Sequence, residues 1–199
     1  MCRLILFPQG LTKWEREGRL RGRLDVPLSP EGVAVVTESA REMSCLAPRI
    51  VYHGPEEAGR QTAELVADHT TSGVRQFDGL AEMSLGLWQG LLIEEVKQRH
   101  PRVYRQWQEN PQRVSPPEGE TLAQASERAR AALEKICGRH QQDTVVLVVP
   151  PLLGAVLRSL LGGTDAFDID GRPSGPQCPT RADLVREAAG GARWELYEV

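Results

Sequence analysis

Side chains suited to catalysis or ligation occur in a few short segments of this 199-residue chain. Glu82 carries an acid that can protonate a leaving oxygen, and His53 carries an imidazole directly after a β-prone run. With Gln9 and Glu15, these residues would offer a metal only one imidazole and no ligand spacing. The cysteines also lack metal or redox spacing and are interpreted as reduced, mostly buried thiols: Cys2, Cys45, Cys137 and Cys178. We therefore expect no metal and no cofactor.

Composition limits the classes of partner. Charged residues make up 26% and hydrophobic residues 40% of the sequence, as in ordinary globular proteins, and the length suits one domain over residues 1–199. The net charge of −3 gives no electrostatic reason to expect nucleic acid or an anionic membrane as partner. No run is long and apolar enough to span a membrane, and no signal segment precedes the first strand. We expect a cytoplasmic protein.

Two apolar runs indicate buried parallel strands that end in chemistry-bearing loops. Residues 4–7 are apolar and stop at Pro8, before the polar turn that contains Gln9 and Thr12. Residues 144–149 form a nearly pure β-branched run, typical of a central strand covered on both faces, and stop at Pro150. Open α/β folds place their ligands at such strand ends.

The remaining elements alternate with these strands. Ser29 and Pro30 predict a helix start, with Val33 and Val36 on its buried face. Further helices are expected over residues 56–68, 91–107 and 122–136, and after residue 150. A Gly- and Pro-rich loop follows at residues 163–179, and residues 182–186 and 193–198 form an apparent closing hairpin.

The opening segment resembles the signature of the histidine phosphatase superfamily, which has a phosphoglycerate mutase-like fold. That signature reads Arg-His-Gly-Glu-Thr, one residue, Trp-Asn, and then Gly-Arg-x-Gln-Gly-x-x-Asp-x-Pro-Leu. The matching positions are Gly10, Thr12, Trp14, Gly18, Arg19, Gly22, Asp25, Pro27 and Leu28. Residues 80–90 also match the family pattern Leu-x-Glu-x-x-x-Gly-x-Trp-x-Gly at every fixed position. The resemblance implies a three-layer α/β/α sandwich around a mostly parallel sheet.

The family's catalytic positions are the ones that differ. The resemblance implies a nucleophilic His at Gln9, an Arg before it at Pro8, and a second Arg at Ala58. It also places the second His at Pro150, or at Pro151 if the register shifts by one, and an Asn at Glu15. Only the acid position, Glu82, is kept. An amide does not form a useful phosphoenzyme, and proline carries neither charge nor backbone donor.

The electrostatic balance of such a pocket opposes a phosphate group. At 5 Å and an effective dielectric of 20, one carboxylate repels one negative charge by about 3 kcal/mol.

Thr12 keeps its family identity, so the resemblance places it at the substrate site. Arg21 stands where the family usually has Gln; it could point inward, but we expect it on the surface. If the family fold is kept, Glu15, Glu56 and Glu57 lie near Glu82 at this pocket. The alternative, which we favour for Glu56 and Glu57, is that they are solvated charges at a helix start.

These substitutions predict a catalytically degenerate histidine phosphatase-like protein with a binding or regulatory role toward a protein or a small molecule. The alternative is an active phosphatase or phosphomutase that acts on a small phosphate ester through an altered site. A third interpretation is an inactive subunit in a complex with an active relative. Whether the chain is an enzyme at all is left open by the sequence, with the losses favouring that it is not.

Overall fold

A computed structural model describes residues 2–161 and two further strands at residues 184–187 and 193–198. Its strands are β1 Cys2–Pro8, β2 Ile50–His53, β3 Gly73–Gln76, β4 Thr144–Val149, β5 Leu184–Glu187 and β6 Arg193–Glu198. They form one sheet in the order β3-β2-β4-β1-β6-β5. All neighbouring pairs are parallel except the antiparallel pair β5 and β6, which confirms the hairpin at the end of the sequence.

The helices of the described part of the chain connect these strands. Their bounds are α1 Lys13–Glu17, α2 Pro30–Glu42, α3 Glu57–Thr70, α4 Ile93–Arg99, α5 Pro101–Glu109, α6 Leu122–Arg139 and α7 Pro151–Leu161. Ser29 caps α2 by accepting a hydrogen bond from the backbone of Gly32, as predicted. The expected glycine stop after α7, the loop at residues 163–179 and Cys178 lie outside the described residues.

Alternation along the central strands creates two cores. Leu4 and Leu6 of β1 pack in the cluster that contains α6 and α7, while Ile5 and Phe7 pack in the cluster with α2 and α3. Because both faces of the sheet are covered by helices, the fold is the predicted three-layer α/β/α arrangement around a mostly parallel sheet. The β-branched run of β4 lies between β2 and β1, at the predicted central place.

The helical region predicted over residues 91–107 is confirmed, and it divides into α4 and α5 because Pro101 disfavours helical backbone at His100. One local expectation was wrong. Val33 is 39% exposed and does not belong to the buried face of α2. A Cβ at Gly32 would lie 2.2 Å from the carbonyl oxygen of Leu11, so the glycine face of the helix is the one that lies against the opening loop.

The segment at residues 80–90 is a packing motif that fixes the acid position. Trp88 is fully buried, and its ring meets that of Trp107 edge to face at 5.4 Å. Gly86 has φ +50°, and a Cβ there would lie 2.1 Å from the carbonyl oxygen of Pro117. Side chains larger than hydrogen are excluded at this position, so the segment holds Glu82 in a defined place under the sheet edge.

Candidate functional site

The predicted site residues converge at the carboxyl ends of β1, β2 and β4. Gln9 follows β1, and its backbone NH donates to the carbonyl of Val149 at 2.9 Å. His53 ends β2, and Pro150 follows β4. Gln9 and His53 are 7% and 4% exposed, and Pro150 is also buried. The sheet therefore brings these three loops together, at the edge where parallel sheets place ligands.

Glu82 occupies the N-terminus of α7. Its Oε1 accepts hydrogen bonds from the backbone NH of Met83 at 2.8 Å and of Leu153 at 2.9 Å. Its Oε2 accepts from the backbone NH of Leu152 at 3.1 Å. The first NH groups of a helix have no partner within the helix and favour an anion. In this chain the protein's own carboxylate fills that anion position.

The pKa of Glu82 is raised above its ordinary value of 4.5. The main cause is burial, since the side chain is removed from water and desolvation disfavours the charged form. The nearby charge of Arg21 and the backbone NH donors of Met83, Leu152 and Leu153 oppose this effect. Desolvation is the larger influence, so the folded protein holds the Glu82 proton more tightly than an exposed glutamate would.

Arg21 points into the site, and the expectation of a surface position was wrong. Its side chain is only 4% exposed, and its Nε donates to Glu15 Oε1 at 3.1 Å. The flanking loop turns at Gly22, which has φ +56°, and sends Arg23 outward. Arg23 then donates from Nε to the backbone carbonyl of Glu82 at 2.8 Å. The turn therefore separates the two arginines, one inside the site and one across its rim.

Thr12 and Glu15 form a capping box at the start of α1. The backbone NH of Thr12 donates to Glu15 Oε2 at 2.9 Å, and the Thr12 hydroxyl also contacts that oxygen closely. The Thr12 hydroxyl accepts from the backbone NH of Trp14 at 3.1 Å. Thr12 is fully buried. Its polar groups are thus engaged in the helix start, and Glu15 joins that start to Arg21.

Glu56 belongs to the site and Glu57 does not. Glu56 is 4% exposed, and its Oε1 accepts from the backbone NH of Glu82 at 2.9 Å, so its interpretation as a solvated charge was wrong. Glu56 precedes α3 without capping it, and its side chain turns toward the strand ends instead. Glu57 pairs with the exposed Arg60 at 2.6 Å, as expected of a solvated charge.

Pro8 and Ala58, at which the resemblance implies arginines, differ in their surroundings. Pro8 is exposed at the end of β1, whereas Ala58 is fully buried in α3. The backbone carbonyl of Ala58 accepts from the Thr62 hydroxyl at 2.7 Å, and Thr62 in turn accepts from the backbone NH of Gly10 at 3.1 Å. These bonds join α3 to the opening loop. Neither Pro8 nor Ala58 contributes a cation.

His53 is held in one ring orientation. Its Nδ1 lies 2.6 Å from the carbonyl oxygen of Gly54. A carbonyl can only accept, so Nδ1 carries the proton and the neutral ring has its lone pair on Nε2. Within the described residues, no group of three or more His, Cys, Asp or Glu side chains is arranged to hold a metal ion. The sequence indicated His53 only by its place after a strand.

Several polar atoms at this site are buried without a hydrogen-bond partner. They are both side-chain polar atoms of Gln9, the Nη1 of Arg21 and the Oε2 of Glu56. Buried polar groups are nearly always paired in folded proteins. The site is therefore buried, and some of its polar side-chain atoms lack a hydrogen-bond partner. Neither property was visible in the sequence.

No helix in the described part of the chain is long and apolar enough to cross a membrane.

Comparison with known proteins gives one consistent family. Residues 4–197 match the profile of the Histidine phosphatase superfamily (branch 1). Phosphoserine phosphatase 1 of Hydrogenobacter thermophilus is 34% identical over 148 residues, which is 74% of this chain and 70% of that relative. The metal-independent phosphoserine phosphatase of Arabidopsis thaliana is 27% identical over 163 residues, which is 79% of this chain and 66% of that relative.

Solved structures agree on the fold. The structure of Bacillus stearothermophilus YhfR superposes with a TM-score of 0.83 at 24% identity, over 97% of this chain and 94% of that chain. A structure called mycobacterial hydrolase 1 superposes with a TM-score of 0.74 at 24% identity, over 83% of each chain. At these identities the likeness concerns the fold alone.

Proposed function

We propose, from the premise that this chain belongs to the histidine phosphatase superfamily (branch 1), that it is a catalytically degenerate member with a binding or regulatory role. The relatives are named as phosphatases, so the chain is a histidine phosphatase-like protein. The observation that carries the proposal is the occupation of the α7 N-terminus by the Glu82 carboxylate. Because these NH groups already donate to the protein's own carboxylate, they are not free to bind a phosphoryl group.

The residues at the family's catalytic positions also support the proposal, because they are unsuited to covalent phosphoryl transfer. Transfer through a phosphohistidine needs an imidazole nucleophile and cations around the phosphoryl oxygens. At the corresponding positions stand Gln9, Pro8, Ala58 and Pro150, none of which is a nucleophile or a cation. Removal of the nucleophile from groups that act as a unit can cost about a millionfold in rate.

The charges of the site support exclusion of phosphate. Glu56 and Glu82 are both buried, and Glu56 Oε1 accepts from the backbone NH of Glu82. Glu15 is a third carboxylate of these loops and pairs with Arg21. Arg21 is a buried cation on the neighbouring loop, and its Nε is already bonded to Glu15. A phosphate dianion would therefore meet mainly like charge, at about 3 kcal/mol per carboxylate at 5 Å.

A second candidate function is phosphatase activity through an altered site. Two observations favour it: His53 presents an unprotonated Nε2 in its neutral form, and burial raises the pKa of Glu82 as a general acid requires. Arg21 would then serve as the phosphate-binding cation. This candidate assigns the nucleophile to β2 instead of β1.

Release of inorganic phosphate from phosphoserine and from an aryl phosphate separates the two candidates. Phosphoserine phosphatase 1 of Hydrogenobacter thermophilus, assayed in parallel, shows that the conditions detect turnover. We expect no release above the uncatalysed rate from this chain. Release that disappears in both His53→Gln and Glu82→Gln, but persists in the exposed-residue variant Glu64→Gln, would establish the second candidate and overturn the first.

A further inference from the structure

The sheet is open along β3 (Gly73–Gln76). This strand stands first in the sheet order, and among the described strands it pairs with β2 alone. All four of its residues are exposed, and Val74 is 41% exposed although it is apolar. An open edge strand presents unpaired backbone groups to which another extended chain can bond. The outer side of β3 is therefore a candidate surface for strand addition.

The bonds to β2 show which backbone groups of β3 point outward. The NH of Gly73 donates to the carbonyl of Arg49 at 3.2 Å, and the NH of Phe77 donates to the carbonyl of His53 at 2.8 Å. Backbone groups of successive strand residues point to alternate sides, so the odd-numbered residues bond to β2. The NH and carbonyl groups of the two even-numbered residues of β3 therefore point away from β2, where an added strand would lie.

A groove with acidic walls borders this edge on the α3 side. It has a volume of about 390 Å³ and is lined by Glu64, Ala67, Asp68, Thr71, Ser72 and Val74. Glu64 is paired with Arg60, whereas Asp68 has no ion pair within the described residues. Arg75 alternates to the opposite face of β3 and likewise has no ion pair there. We call the outer side of β3 together with this groove the β3 edge.

Like charges oppose the pairing of two copies of this chain at the β3 edge. The antiparallel registers that keep most of β3 paired about a two-fold axis centre on Arg75 or on Val74. The first register places the two Arg75 side chains opposite each other, and like charges at opposed positions destabilise a sheet. The second register brings both acidic grooves, each with its Asp68, to the same side of the axis. A strand that covers this edge should therefore have a different charge pattern.

We propose that the β3 edge binds an extended segment of a partner protein in which a lysine or arginine is flanked by acidic residues. The basic residue lies opposite Val74 and exchanges backbone hydrogen bonds with it. Its aliphatic stem covers the Val74 side chain, and its charged end reaches Asp68. An acidic neighbour lies on the other face, beside Arg75. The β3 edge contains none of the candidate-site residues, so this inference goes beyond the proposed function.

Charge selects this segment from other extended peptides. An acidic residue opposite Val74 would meet Asp68 and Glu64 in the groove. A wholly basic segment would place a second positive charge beside Arg75 on the other face. A neutral segment would make the backbone bonds alone and would leave both charges without a partner. Alternating basic and acidic side chains complement both faces of the β3 edge at once.

Fluorescence anisotropy of a labelled peptide titrated with the full chain tests the inference. The probe is acetyl-Thr-Val-Glu-Lys-Glu-Val-Thr-amide, whose symmetrical charges allow it to add in either direction. One control peptide has threonine in place of lysine, and the other has a methyl group on the backbone nitrogen of the lysine, which removes its donor to Val74. We expect saturable binding of the probe with a dissociation constant below about 1 mM, and at least about tenfold weaker binding of both controls.

Two variants connect peptide binding to the β3 edge. Val74→Pro removes the outward NH and no bond to β2, a position at which an edge strand tolerates proline, and Asp68→Lys reverses the charge of the groove. Each should weaken binding by at least about tenfold, and the exposed-residue control Glu38→Gln should bind like wild type. Asp68→Lys should instead prefer the peptide with glutamate in place of lysine. Circular dichroism shows whether each variant is folded, and the control peptides on wild type decide the question if one is not.

The outcomes separate this inference from its rival and from the proposed function. Absence of saturable binding, or equal binding of either control peptide, would overturn the inference. Sedimentation velocity should show a monomer; a dimer that Val74→Pro abolishes would mean that a second copy covers β3, and would also overturn it. None of these results bears on phosphoryl transfer, which the release of inorganic phosphate tests separately.

Discussion

Glu82 Oε1 lies 2.9 Å from the backbone nitrogen of Leu153, so a buried carboxylate caps the helix whose N-terminus faces the substituted site. By the family resemblance Glu82 stands at the acid position, and here its carboxylate accepts hydrogen bonds from the first NH groups of α7. A phosphate oxygen would have to displace this carboxylate to reach the same NH groups. The retained acid therefore has a structural role that does not depend on catalysis.

The structural role of Glu82 is measurable by deletion of its side chain. Glu82→Ala leaves three buried backbone NH groups without their acceptor, so the free energy of unfolding should fall by about 3 kcal/mol. Urea denaturation measures the change. Glu64→Ala, at an exposed position, should shift it by less than about 0.5 kcal/mol. Equal values for the two variants would refute this role.

The raised pKa of Glu82 makes stability depend on pH. Because the folded pKa exceeds the unfolded one, this contribution to stability is complete below the unfolded value and is lost as pH rises through the folded value. Wild type should therefore lose free energy of unfolding relative to Glu82→Gln as pH rises above 4.5. Urea titrations across a pH series measure this difference, and a wild type that gains free energy of unfolding relative to Glu82→Gln as pH rises would have the wrong sign for a raised pKa.

Arg21 limits how far the pKa of Glu82 is raised. Replacement by glutamine removes the opposing positive charge, so the pKa of Glu82 should rise further and the loss of stability should extend to higher pH than in wild type. The same urea titrations detect the shift. Arg41→Gln removes an equally charged but exposed side chain and should leave the pH profile unchanged. Matching profiles for Arg21→Gln and Arg41→Gln would place Arg21 away from Glu82.

Restoring the nucleophile alone should not restore turnover. Gln9→His places an imidazole at the end of β1, but Pro8, Ala58 and Pro150 still provide no cation, and Glu56 and Glu82 remain in the site. We expect no phosphate release from phosphoserine by this variant, with circular dichroism as the check on folding. Turnover by Gln9→His would mean that the missing nucleophile is the only defect.

The fold was predictable because its signals are local. The apolar run of β1 and the β-branched run of β4 each fix a strand, and Thr121 with Gln124 forms the predicted capping box at the start of α6. The tight contact of Gly86 and the burial of Trp88 give the pattern of residues 80–90 a role in packing. That role depends on local residue identity, so it was readable from the sequence.

The site was less predictable, because side-chain direction in a loop depends on tertiary contacts. Arg21 and Arg23 are two residues apart and equally charged, yet the turn at Gly22 sends one inward and the other outward. Glu56 and Glu57 are adjacent acids at one helix start, yet only Glu56 meets the backbone of Glu82. Sequence spacing does not distinguish the members of either pair.

The melting temperature of the wild-type protein in the presence of millimolar orthophosphate or vanadate is the most direct test of the central claim. A ligand that binds only the folded state stabilises it by RT ln(1 + [L]/Kd), where [L] is the ligand concentration, and so raises the melting temperature. Since the site holds its own carboxylate at α7 and lacks the family's cations, the melting temperature should be the same as in chloride of equal ionic strength. A rise of several degrees with either anion would contradict the account.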